Sequence, residues 1–583
     1  MFKNNRASGT WGRDQYGGAI YCTNLKCNNC TFEDNYSNDD AGAIYIHDGD
    51  KTEIRNSKFI RNNAELSGGA ISCVDVYCNN CTFENNYASN LGGAINGGYG
   101  AHVQNSRFKN NKAGDDGGAV YIDGGQGEIS DSHFTNNQAK NGGAIYSSNI
   151  DCLRCYFENN PANDNGGALC QKVDGDLYVI HASHCKFIKN TAEIDGGAAY
   201  CGKIIADSDL FLNNGATGAK INSCWGGAVF CLTMEGNKCI FENNYADDYG
   251  GAIYIKTKSE STIKNTQFTN NQAKDNNGGA IYSNGDLRVS NCNFTKNKAK
   301  TDGGAIYINN KGKSTIKNSK FTNNKADDYN GGAIYSKKNI EVYNSLFKNN
   351  QANNSWFPST SQGGAIYCGT ITCNNCTFEN NKAKKYAGAI YINDKEVSTI
   401  KNSKFINNTS PFNGGAINAN GKLIVESSIF KNNKADHFGG ALEPYENGGA
   451  IFCLNIDCNN STFENNYAES YGGAIFIKNE GKSTIKNSKF INNTAKLNGG
   501  AIYLDNTNSH VDLIHNIFEK NTAERGNEGL IVYTYGEFDK ISQNYYGTEN
   551  PNWSSHLLYE QFQKFWYLLV FNRSLSRYYT YEK

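Results

Sequence analysis

The chain has 583 residues, 38% of them hydrophobic and 19% charged, with a formal net charge of −1. That balance leaves no electrostatic footprint for nucleic acid or for an anionic lipid surface. The long apolar run from Phe565 to Phe571 is too short to cross a bilayer as a helix, so no membrane-spanning segment is expected.

At the amino terminus Phe2-Lys3-Asn4-Asn5-Arg6-Ala7 has the pattern of a repeat's tail, so the repeat domain is expected to start truncated in mid-repeat. A full unit follows: Gly17-Gly18-Ala19-Ile20-Tyr21-Cys22, a short run ending at Cys30, then Phe32 and Asn35 in a Phe-x-x-Asn motif. The pair of motifs then recurs along the chain. Phe-x-x-Asn occurs twenty times, the last at Phe518/Asn521, and the second glycine of the other motif recurs mostly every 24 to 28 residues, from Gly18, Gly42 and Gly69 to Gly500. A period of that size sustained over the chain is the mark of a solenoid. Its units carry β-branched runs such as Ser-Thr-Ile-Lys and lack the 3.6-residue apolar spacing of a helix.

Strand alternation assigns the faces. In Gly-Gly-Ala-Ile-Tyr-Ile the residue after Ala and the one two further on, Ile46 or Cys73 for example, point inward, and the Tyr between them points out. Phe321 and Ser319 share the inner face of a second strand, which predicts a ladder of Phe over Phe. The Asn three residues after each Phe is expected to form a stacked corner and to take the left-handed backbone there. The chain is therefore expected to be all-β, a right-handed parallel β-helix of about twenty coils of three short strands, handed by the general crossover preference. Residues 1–555 form this repeat domain. Residues 556–583, where the repeat has decayed, are expected to cap the last coil or to begin a further domain.

Twenty cysteines raise the question of a metal. Coils with the fullest pattern run Cys22…Cys27-x-x-Cys30, Cys73…Cys78-x-x-Cys81 and Cys368…Cys373-x-x-Cys376, and Cys458 has Ser461 in place of the second sulfur. Cys27 stands where other coils have an inward Ile, and Cys30 where they have an inward Ser. The thiols are thus expected as small core residues, with no metal and no cofactor; disulfides within these coils are the alternative.

Carboxylates pair at Asp39-Asp40, Asp115-Asp116, Asp247-Asp248 and Asp327-Asp328, each time in the turn before the glycines. A pair that recurs at the same turn of four coils is a turn preference, whereas a catalytic pair would be unique to one place. No catalytic residues are expected, and His181 and His184 are expected at the surface. The outward Tyr stripe, Tyr307 and Tyr335 for example, is expected to pack on itself as cross-strand neighbours. The turn after Phe-x-x-Asn swells at Gly215–Trp225, Gln351–Gln362 and Lys434–Asn447. Variation concentrated on one loop ridge points to binding there, and Trp356, Phe357 and Tyr445 are the expected anchors.

The paired Gly-Gly-Ala-Ile and Phe-x-x-Asn motifs resemble those of the polymorphic outer-membrane proteins of chlamydiae, and more closely those of adhesin-like β-helix proteins of methanogenic archaea. The resemblance covers residues 2–555. It implies a non-catalytic, extracellular, cell-surface or wall-associated protein that attaches to a glycan or protein of another cell. The alternatives are a polysaccharide-active β-helix lyase or hydrolase and an inert surface stalk.

Overall fold

The computed structural model describes residues 1–9, 15–48, 52–173, 178–218, 224–310, 312–354, 361–437, 447–478, 481–505 and 509–524, and the backbone of 532–534, 537–542, 544–546, 565–572 and 575–582. They fall into two compact units, Met1–Arg288 and Val289–Lys583. Among the described residues every regular element is a β-strand. The chain is a parallel β-solenoid of about 18 turns.

One coil of the first unit shows the plan. Ile44–Ile46 and Thr52–Arg55 form its first face, Lys58–Ile60 the second and Asn63–Ala64 the third. In the next coil the two strands of the first face run together as Ile71–Asn79. Each strand pairs in parallel and in register with its copy one turn on, so Phe32 meets Phe59 and Phe59 meets Phe83. The second unit repeats the plan, with Phe321 between Phe294 and Phe347.

Identical residues therefore stack. Phe32, Phe59 and Phe83 are fully buried, their rings nearly parallel with centroids 4.8 to 4.9 Å apart. Beside them run the inward aliphatic columns, such as Ile44, Ile71 and Ile95. The glycine pair closes each coil. Gly68 sits at φ 67°, and a Cβ on Gly69 would lie 2.1 Å from the Gly93 carbonyl oxygen of the next turn. Hence the first glycine supplies a left-handed backbone and the second lets two turns approach.

The asparagine corner differs from the expectation in one respect. The left-handed residue is the one two after Phe: Asp34, Arg61, Asn85 and Asn110 have φ between 52° and 57°. The Asn three after Phe turns inward instead and is buried. Asn62 Nδ2 donates to the Phe32 carbonyl at 3.0 Å and to Asn86 Oδ1 at 3.0 Å, while Asn62 Oδ1 accepts the Asn35 backbone N–H and Nδ2 at 3.2 and 2.8 Å. An amide that both donates and accepts along the axis can repeat this pattern in every coil. In the second unit Asn297, Asn324, Asn350 and Asn381 do the same.

Near the carboxyl end, Phe565–Asn572 pairs antiparallel with Leu575–Glu582. The pairing differs in kind from the coils, within the stretch where the repeat pattern stops.

Candidate functional site

The coils of the first unit differ in length at the bend of their first face. Between Cys73 and Asp75 one residue intervenes, Val74; the next coil has Gly98-Tyr99 there, and the one after it Asp123-Gly124-Gly125. These residues bulge out of register, which leaves Val74 exposed and Tyr99 66% exposed. Glycine is needed at the crowded points: a Cβ on Gly125 would lie 1.3 Å from the Tyr99 carbonyl oxygen. Bulges re-aim the side chains beside them.

Beyond the bulge, outward positions pair across turns as Tyr77, His102, Glu128, Asp151 and His181. The first four of these, with Glu53, Arg55 and their neighbours, line an open groove of about 510 Å³. That volume is the size of an ordinary ligand site. The groups are held in place. The Tyr77 and His102 rings stack at 4.2 Å and 6°, His102 Nδ1 lies 2.9 Å from Glu128 Oε2, and Gln126 Nε2 donates to Asp151 Oδ2 at 2.6 Å. His181 Nδ1 stands 3.6 Å from Asp151, and Glu53 lies 3.6 Å from Lys26 and 3.9 Å from Arg55. The result is a polar trough of carboxylates, amides and ring edges, with Tyr99 on the bulge beside it. Sequence reading passed over this face because none of its residues forms a motif; the visible signal was the Gly-rich interruption Gly97-Gly98-Tyr99-Gly100.

A second hollow, about 340 Å³, lies on the turn ridge among Gly114, Lys140, Asp164, Glu193 and Gly218. The expected anchors Trp356, Phe357 and Tyr445 lie outside the described residues. At the end of the first insertion, Gly215–Trp225, Trp225 folds back on the coils, stacking on Tyr254 at 4.8 Å and meeting Tyr249 edge-on. Tyr386 and Tyr471 likewise lie against Tyr391 and Tyr503.

The outward Tyr stripe packs on itself. Tyr307, Tyr335 and Tyr367 stack at 4.7 Å with planes within 5°. Rings stacked along the axis have spent their faces on one another, so only their edges meet solvent. Tyr254, Tyr282 and Tyr503 are buried, and Tyr21, 56% exposed, stays open.

The aspartate pairs bond turn to turn. Asp40 Oδ1 accepts the Ser67 N–H at 2.8 Å, Asn141 Nδ2 donates to Asp116 Oδ1 at 3.0 Å, and Asp327 pairs with Lys298 and Lys325 at 2.8 and 2.7 Å. Burial raises the Asp40 and Asp116 carboxyls, whereas the two lysines hold Asp327 below the ordinary range. His181 and His184 are exposed.

Among the described residues no group of three His, Cys, Asp or Glu side chains could hold a metal ion. Cys78, Cys81, Cys373 and Cys376 point into the core and are at most 2% exposed. Cys27 and Cys30 are joined as a disulfide, and the other 18 cysteines are free. Sequence reading overlooked a fourth pair, Cys152-x-x-Cys155, also buried.

Against known proteins, residues 210–363 and 299–430 match the right-handed β-helix region family. Residues 1–23, 80–98, 105–123, 131–148, 427–454, 460–478 and 487–505 match the Chlamydia polymorphic membrane protein repeat. The first match is to a right-handed family, the hand expected from the general crossover preference. A probable autotransporter, YfaL, of Escherichia coli (strain K12) is 40% identical over 90 residues, 14% of this chain and 7% of that protein. The probable outer membrane protein pmp7 of Chlamydia pneumoniae is 28% identical over 224 residues, 35% of this chain and 21% of that protein. The chain thus spans less than a quarter of either relative. No solved structure matches it.

Proposed function

We propose that the protein is a non-catalytic, cell-surface adhesin-like solenoid that attaches to a glycan of another cell, and that the groove of the first unit is the contact. The observation behind this reading is the groove itself, where bulges in consecutive coils flank a register of fixed carboxylates, amides and an imidazole. Sugars are recognised by such planar hydrogen-bonding groups, and the exposed ring of Tyr99 offers a face that the stacked tyrosines do not. The surface names of the autotransporter and pmp7 relatives support the location. The motif likeness to methanogen adhesin-like proteins supports the role. The insertion bearing Trp356 and Phe357, and Tyr445 on the later one, provide a second contact ridge.

Glycan-array binding of the intact chain tests the reading. Tyr99→Ala and Asp151→Asn are expected to reduce binding at least tenfold with the β-sheet circular dichroism unchanged, and Trp356→Ala to reduce it less. Unchanged binding in the groove variants, with loss in Trp356→Ala, moves the contact to the ridge. No binding at all favours the inert stalk, and new reducing ends or unsaturated products from an added polysaccharide would make the protein an enzyme.

A further inference from the structure

Four coils carry two cysteines three residues apart around the corner between the first and second faces: Cys27/Cys30, Cys78/Cys81, Cys152/Cys155 and Cys373/Cys376. The repeat places all four pairs alike. The residue at the corner is left-handed in each, Asn29, Asn80, Arg154 and Asn375, with φ between 53° and 57°. The first sulfur enters from the inward Ile column and the second from the inward Ser column, so both point into the same core. In the first coil the two are bonded. In the others the second sulfur sits as Cys30 does, beside the carbonyl two residues back: Cys30 Sγ lies 3.6 Å from the Asn28 carbonyl oxygen, Cys81 Sγ 3.4 Å from that of Asn79, Cys155 Sγ 3.5 Å from that of Leu153 and Cys376 Sγ 3.4 Å from that of Asn374.

We infer that the Cys-x-x-Cys corners are a repeated oxidation site, and that Cys78–Cys81, Cys152–Cys155 and Cys373–Cys376 close into disulfides as Cys27–Cys30 does when the protein meets a small-molecule disulfide. The step is thiol–disulfide exchange. One cysteine thiolate attacks the oxidant RSSR and expels RS⁻; its partner then displaces the second RS⁻ from the mixed disulfide. Two thiols are oxidised, one RSSR is reduced to two RSH, and the two thiol protons leave with the products.

Both sulfurs come from one turn of chain, so closure needs no neighbouring coil and can precede the stacking that buries the pair. Each bridge then clamps a corner that the left-handed residue alone would hold. Cys155 is the one with a second partner, since its backbone N–H lies 3.4 Å from the Cys185 sulfur of the next coil. Cys458 provides an internal control, because Ser461 holds its partner position while its sulfur meets Ser488 Oγ at 3.7 Å just as Cys373 meets Ser403 Oγ.

The experiment is differential alkylation of the full chain. The protein is folded with oxidised glutathione, unfolded without reductant, alkylated, and digested for mass spectrometry, beside a reduced sample. The expected result is that the eight Cys-x-x-Cys sulfurs resist alkylation until reduced, each in an intra-peptide bridge, whereas Cys458 reacts in both samples. A Cys81→Ser variant should free Cys78 and leave Cys373–Cys376 closed. Alkylation of Cys78, Cys81, Cys373 and Cys376 to the extent of Cys458, or bridges chiefly between coils, overturns the inference.

Discussion

At position 209 the inner column that carries Ser132, Cys155 and Cys185 in earlier coils holds a carboxylate. Asp209 is 1% exposed; its Oδ1 accepts the Cys185 N–H at 2.7 Å, and Oδ2 is buried without a partner. Burial pushes the carboxyl up to about 7, and the nearby Asp207 charge adds to the rise. The folded value lies above the unfolded value of roughly 3.9, so the coil favours the neutral acid. This stability is full below about pH 4 and is lost as pH rises through about 7. The second unit shows a better solution: Asn516 accepts the Ser488 N–H at 3.0 Å and donates to the Ile485 carbonyl at 2.8 Å. Asp209→Asn is therefore expected to stabilise the protein at pH 8 by roughly 2–4 kcal/mol over the difference seen at pH 4, read from urea midpoints at the two pH values. A pH-independent difference would assign the effect to packing alone.

At the scale of the element, the asparagine corner is the most demanding part of a coil. Asn324 Nδ2 donates to the Phe294 carbonyl at 2.9 Å and to Asn350 Oδ1 at 3.0 Å, and its Oδ1 accepts the Asn297 N–H and Nδ2. Removing the amide strands buried partners in both neighbouring coils, Phe294 and Asn297 before it and Asn350 after it. Each costs about 1–3 kcal/mol when left unpaired, so Asn324→Ala is expected to destabilise the second unit by more than its small loss of volume would. Exposed Asn323, one residue earlier at φ 58°, serves the same corner by its backbone alone. Asn323→Gly should cost little in the same chemical denaturation, and equal losses in the two variants would contradict the assignment of roles.

For the whole molecule, stacking makes energetics local. Phe59 touches Phe32 and Phe83 with centroids 4.8 to 4.9 Å away, and Phe187 touches Phe157 and Phe211 in the same way. Burying such a ring and then deleting it costs about 3–5 kcal/mol. In a solenoid each turn meets only its neighbours. Phe59→Ala and Phe187→Ala, several coils apart in the first unit, should then add within about 0.5 kcal/mol, while Phe59→Ala with Phe83→Ala should deviate because the two share one cavity. Additivity in the adjacent pair would refute the ladder as the unit of coupling.

The solenoid was legible in the residues because a repeating fold writes the same constraint many times. Gly68-Gly69, Phe83 and Asn86 each satisfy a local demand of backbone or core, and recurrence made those demands visible without neighbours. The buried thiols of Cys78 and Cys373 followed from the same alignment, by standing where Ile stands elsewhere. Which residue of Phe-x-x-Asn takes the left-handed turn was not legible, since it depends on the hydrogen bonds that draw the third residue inward. The groove was not legible either. Tyr77, His102, Glu128 and Asp151 are one coil apart in sequence and share no motif, and only the register between turns, offset by bulges of different length, sets them side by side. Sequence determines the coil, because every coil solves the same local problem; tertiary structure decides the site, because a site is made where neighbouring coils differ.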